Sequence, residues 1–108
     1  MYEPSRHIMS FDIAGFQHWD GALVLSELKP GMQLTLVPEP DNPYDPNAVA
    51  ILFQGVKLGF VPADKNALLA QLLHFGHTGV IECRVQQVDP EAKTWNQVFV
   101  GLFMVDAR

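Results

Sequence analysis

Asn42, Tyr44, Asp45 and Asn47 fall within one short stretch, punctuated by Pro40, Pro43 and Pro46. A carboxylate accepts hydrogen bonds, an amide both donates and accepts, and a phenol ring offers a flat face for stacking. The prolines keep this stretch out of helix and strand, because each removes an amide donor and restricts the residue before it. At residue 48 the chain switches into an apolar run that lasts to Phe53. A rigid loop that carries a ring, a carboxylate and two amides at the edge of a strand is a common way to build a binding site. The bland alternative is that Asn42 and Asp45 cap turns through their own backbone while Tyr44 fills a gap. Asn47 opens the strand beneath and is read as a tie for the loop backbone.

Other residues invite chemistry and have plainer readings beside it. His18 and Trp19 could stack on a flat ligand or grip an anion, and Trp19 could equally be core. Trp95 is read as core or rim. His74 and His77 have a spacing that suggests a metal, but Gly76 separates them and no cysteine pair or carboxylate cluster completes a site. They are read as surface histidines, with no metal and no cofactor expected. Cys83 alternates with Ile81 and Val85, which makes it a buried, inert thiol. Ser5, Ser10 and Ser26 lack a glycine-flanked elbow, and there is no phosphate loop or dinucleotide fingerprint. Asp41, Asp45 and Asp64 could in principle hold magnesium for a nuclease, without support from their spacing.

The elements that must position these residues belong to a chain of 108 residues, 48% hydrophobic and 18% charged. That is the size and composition of one globular domain, residues 1–108, with its core over about 11–105. The short polar N-terminus shows no signal peptide, no apolar run is long enough to span a bilayer, and a single cysteine fits a reducing cytoplasm. Seven basic residues against twelve acidic ones give a net charge of −5. This argues against broad nucleic-acid binding driven by phosphate contacts, while leaving room for a small site that grips by shape.

Periodicity predicts strands over 6–16, 32–37, 48–53, 56–61, 78–88 and 95–105. The run 48–53 is apolar on both faces and reads as central, and Gln54-Gly55 turns it into its hairpin partner. A helix is predicted over 64–75, capped by Asp64, stopped by Gly76 and buried through Leu68, Leu69, Leu72 and Leu73. Residues 22–28 form a second short helix or an irregular segment. Gly59 marks a close approach of backbone in the hairpin. The fold class is α+β, mostly β: a small, strongly bent sheet or barrel of about six strands.

The stretch 42–50 (Asn-Pro-Tyr-Asp-Pro-Asn-Ala-Val-Ala), followed by a short hairpin, 58–62 (Leu-Gly-Phe-Val-Pro) and a leucine-rich helix, resembles the HIRAN domain family. The turn 15–21 (Gly-Phe-Gln-His-Trp-Asp-Gly) is similar to that family's first motif. The resemblance runs from about Phe11 to Val105. It implies an OB-like barrel that binds the 3′-hydroxyl end of single-stranded DNA. The site it implies has Tyr44 packing on a terminal base, Asp45 bonding the terminal hydroxyl and Asn42 supporting the pocket. Gln17, His18 and Phe60 would close the other side. Helicase-fused members carry arginine and tyrosine at the places of Gln17 and His18, histidine at that of Phe60, and lysines at those of Pro62 and Ala63.

The function expected is therefore that of a non-enzymatic module for 3′ ends in DNA repair or replication-fork processing. Its partners would be single-stranded DNA and a helicase or nuclease, with no membrane and no small-molecule cofactor. The alternative is a protein- or peptide-binding module on the same scaffold, suggested by the acidic charge and the missing basic groups.

Overall fold

Apolar residues alternate with polar ones in the strand before the proline loop and run unbroken in the strand after it. In the computed structural model residues 5–105 are described; residues 1–4, on which the expectation of no signal peptide partly rests, lie outside them, as do residues 106–108. Strand β1 is Ser5–Asp12, β2 Gln33–Pro38, β3 Val49–Phe53, β4 Val56–Phe60, β5 Ile81–Val88 and β6 Val98–Val105. They form one antiparallel sheet in the order β1-β6-β5-β2-β3-β4. In β5, Ile81, Cys83 and Val85 point into the core, as their alternation predicts. In β3, Val49, Ala50 and Ile51 have no exposed surface at all, as a strand covered on both faces requires. Register shifts in the β1–β6, β3–β4 and β5–β6 pairings bend the sheet.

The sheet does not close into a full ladder. Its two ends meet through one bridge: Ala14 N–H donates to the Phe60 carbonyl (2.8 Å), and Phe60 N–H to that of Ala14 (2.9 Å). The fold is thus the mostly β, OB-like α+β domain expected, held together at this seam by a single residue pair.

Gln54 and Gly55 turn β3 into β4 with φ of 48° and 83°. Two positive φ values in a two-residue loop are the signature of a type I′ turn, which suits the twist of a hairpin. Glutamine is a poor choice for that position and asparagine a good one. Gln54→Asn is expected to raise stability by about 0.5 kcal/mol, read as a later midpoint in urea with an unchanged slope.

The helical segments depart from the expectations. The helix α1 spans Ala67–His74, and residues 63–65 before it make a separate 3-10 turn. Asp64 does not cap it; its carboxylate lies on the exposed turn, 3.7 Å from the Lys65 ammonium. The buried stripe is Asn66, Leu69, Ala70 and Leu73, an i, i+3, i+4, i+7 pattern, while Leu68 is exposed and Leu72 half-buried. The observed and expected stripes share Leu69 and Leu73; the helix is turned so that Asn66 and Ala70, not Leu68 and Leu72, complete its inner face. The segment 22–28 is no α-helix but falls in two 3-10 turns, Asp20–Leu23 and Leu25–Glu27. β1 ends at Asp12, and Phe16 lies in another such turn, Phe16–His18; β5 and β6 start later than predicted, which leaves Trp95 in the turn Thr94–Asn96. Burial pushes the Cys83 thiol up to about 12, so it stays protonated and unreactive in the folded chain.

Candidate functional site

The proline loop is held open by side chains that bond its own backbone. Asn42 Oδ1 accepts from the amides of Tyr44 (2.9 Å) and Asp45 (3.1 Å). Asp45 Oδ1 accepts from the Asn47 amide (2.8 Å). The turn-capping part of the bland reading is therefore present. The gap-filling part is not, because Tyr44 is 95% exposed and packs into no gap. A large ring held out on a braced backbone has lost its chance to bury itself and stays available to something else.

Asp45 is gripped from a second direction. Its Oδ2 accepts from Asn66 Nδ2 at 2.8 Å. Asn66 is 3% exposed, the one buried polar residue of the described chain. It precedes α1 but bonds no amide of that helix with its side chain. Its amide is committed to the loop instead. Each carboxylate oxygen has two lone pairs, so two bonds orient Asp45 without exhausting it.

Asn42, Tyr44, Asp45 and Asn66 share a cleft of about 230 Å³ with Ala14, Ala48, Phe60, Val61 and Ala63. The seam pair Ala14 and Phe60 forms one of its walls. Four of the residues singled out in the sequence, Asn42, Tyr44, Asp45 and Phe60, are thus brought to one place. Gln17 and His18 are not among its lining; both are exposed on the turn Phe16–His18. A larger cleft of about 360 Å³ lies across the loop, between Pro46 and α1, and no carboxylate lines it.

Behind Phe60 stands an aromatic and charged cluster that sequence reasoning missed. Trp19 meets Phe60 edge to face, with ring centroids 5.8 Å apart. It is 42% exposed, which rules out plain core. The Lys57 ammonium sits 4.3 Å from the centre of Trp19 and 5.0 Å from that of Phe60. Glu39 Oε2 binds the same ammonium at 2.6 Å, and Glu39 Oε1 accepts from Asn42 Nδ2 at 3.2 Å. Burial alone would raise the Glu39 carboxyl, but the bonds from Lys57 and Asn42 outweigh it and hold it below its ordinary value. A carboxyl lowered on folding contributes stability above its unfolded value and loses it as pH falls through the folded one. No spacing rule announces this cluster: Lys57 and Phe60 stand three apart in a strand, which alternation would send to opposite faces, and the register shift in the β3–β4 pairing falls between them. The signal for Asn66 was the inward stripe of α1.

Among the described residues no three His, Cys, Asp or Glu side chains gather as a metal site, and the side chain of His77 lies outside them. No described helix is long and apolar enough to cross a membrane.

The HIRAN domain profile matches residues 8–102. A crystal structure of a protein from Lactobacillus plantarum superposes with a TM-score of 0.78 at 22% identity, covering 97% of this chain and 99% of that one. The HIRAN domain of human HLTF superposes with a TM-score of 0.63 at 21% identity, covering 94% of this chain and 77% of that one. No curated protein sequence gives a significant match. At these identities the two structures speak for the fold.

Proposed function

Because the chain belongs to the HIRAN domain family, we propose that it is a non-enzymatic DNA-binding module that receives the 3′-hydroxyl end of a single strand. The observation that carries this reading is the pairing, at one cleft, of an unpacked Tyr44 ring with a carboxylate anchored by Asn47 and Asn66. A terminal base stacks on the ring, a contact worth about 1–3 kcal/mol that tolerates any base. Asp45 accepts a hydrogen bond from a 3′-hydroxyl and repels a 3′-phosphate, which selects free ends. Asn42 sets the loop, and Phe60 forms the facing wall. Gln17 and His18, outside the cleft, meet the strand only where it leaves. A module of this kind serves repair or fork processing in the cytoplasm beside a helicase or nuclease that works on the same ends.

The charge balance favours a second reading, a peptide-binding module on the same scaffold. Three of the seven basic residues, Lys57, Lys65 and Arg84, are already paired with Glu39, Asp64 and Glu82. Fluorescence anisotropy of a short strand ending in a 3′-hydroxyl, against the same strand ending in a 3′-phosphate, separates the two at low salt. The hydroxyl strand is expected to bind at least tenfold tighter, the equivalent of about 1.4 kcal/mol. Equal binding would leave only a generic groove, and no binding of either strand would select the peptide reading.

A further inference from the structure

A strand that enters this cleft brings negative charge to a chain of net charge −5, and a cation stands over the ring of Phe60, one wall of the cleft. Among the described residues, Lys57 is the only one whose cationic group lies over the ring of Phe60, the residue shared by the cleft and the aromatic cluster. Its ammonium is braced by two rings, and the side chain is largely shielded from water, with an exposure of 26%. A compact point charge with three donors is suited to a phosphate oxygen. Its present partner is a carboxylate on the same loop as Tyr44 and Asp45. Glu39 is 27% exposed, so it has water to turn to if displaced, and Asn42 Nδ2 can keep hold of its other oxygen.

We infer that Lys57 is the phosphate-binding group of the site, and that Glu39 occupies it in the free protein as a built-in competitor. This rests on the end-recognition reading above and adds to it a second subsite. With the terminal nucleotide between Tyr44 and Phe60, the next phosphodiester passes over Phe60 toward Trp19 and exchanges with Glu39 at Lys57. One singly charged oxyanion replaces another, so the lysine stays paired throughout. Trp19, half exposed beside it, offers its ring to the base that follows. The ligand class is a strand of at least two nucleotides with an unmodified diester before its end.

The test is the salt dependence of binding for the wild type, Glu39→Gln and Lys57→Met, measured with a 3′-hydroxyl oligonucleotide. Glu39→Gln retains an acceptor for Asn42 but gives up the charge that competes. It is expected to tighten binding by about tenfold at low salt. Lys57→Met is expected to weaken binding by a similar factor and to flatten the plot of log K against log salt by about 0.7, one phosphate contact on a single strand. Asp41→Asn is the reference for simple loss of a negative charge nearby, since Asp41 enters no salt bridge among the described residues; its change should be smaller than that of Glu39→Gln. A merely structural ion pair would make both partners' variants bind worse, whereas a competitor and a ligand group shift binding in opposite directions. Weaker or unchanged binding by Glu39→Gln overturns the inference, as does an unchanged slope for Lys57→Met, even where the wild type still prefers a hydroxyl end. Failure of both wild type and Glu39→Gln to bind the strand overturns the end-recognition reading with it.

Discussion

The Asp45→Ala protein is expected to bind a 3′-phosphate strand as well as a 3′-hydroxyl strand, with affinity for the hydroxyl strand reduced by roughly 10- to 100-fold. A hydrogen bond to a charged group contributes about 1.5–3 kcal/mol, and that bond is what the substitution removes. The repulsion of a phosphate disappears with it, so the two strands converge from both sides. Stability should fall as well. Asn66 Nδ2 loses its acceptor in a place where the residue is 3% exposed, and an abandoned buried donor costs about 1–3 kcal/mol. The thermal midpoint must therefore be measured alongside, and binding compared well below it. Tyr44→Ala is the complementary control: the ring is 95% exposed, so its loss should leave the midpoint unchanged while reducing binding of both strands alike. If Asp45→Ala keeps the hydroxyl preference, the carboxylate is not the reader of the end.

Gly59→Ala is expected to be strongly destabilising, by about 3 kcal/mol, or on the order of 15 °C in thermal midpoint. A Cβ at 59 would run into the carbonyl oxygen of Ala14 and lie 2.6 Å from Ile13 Cγ2. Backbone cannot step aside as a flexible side chain can, and here the backbone is one half of the seam. The φ of 154° adds to the strain. Gly55→Ala separates the two effects, because its φ is also positive (83°) but nothing lies within 4 Å of the added carbon. It should cost only about 1–2 kcal/mol, the local penalty for a left-handed residue. Thermal unfolding followed by circular dichroism ranks the pair, and a Gly59 variant no worse than the Gly55 one would show that the Ala14 contact is soft.

The strands were legible because burial enforces their alternation, most clearly at Ile81, Cys83 and Val85. The proline loop was legible because proline has so few options. What escaped was set by geometry between distant segments. The four leucines of the helix pointed to one inward stripe, but packing turns the helix so that Asn66 and Ala70 stand inside with Leu69 and Leu73 while Leu68 is exposed. Asp64 looked like a cap by type, yet the turn at 63–65 leaves it on the surface. Asn66 fell inside the helix expected over 64–75, where an asparagine carries no signal of its own, whereas its amide reaches back 21 residues to Asp45. Nothing in the hairpin sequence singles out Lys57, and only the fold shows it trapped between Trp19, Phe60 and Glu39. Gln17 and His18 share a motif with Trp19, but the 3-10 turn at 16–18 directs the two away from the cleft and leaves Trp19 to carry the contact with Phe60.

A ring of strands fastened by one residue pair has a preferred place to come apart. Transient opening should begin at Ala14 and Phe60, whose amides have only each other's carbonyls as partners across the gap, while amides within the β5–β6 ladder exchange only in far rarer events. Both residues of the fastening are also walls of the cleft. Whatever fills that cleft leans on the weakest joint of the ring, so occupancy would register as slowed hydrogen exchange at residues 14 and 60. The protein would then report a captured end through its own rate of breathing, at amides far in sequence from Tyr44 and Asp45.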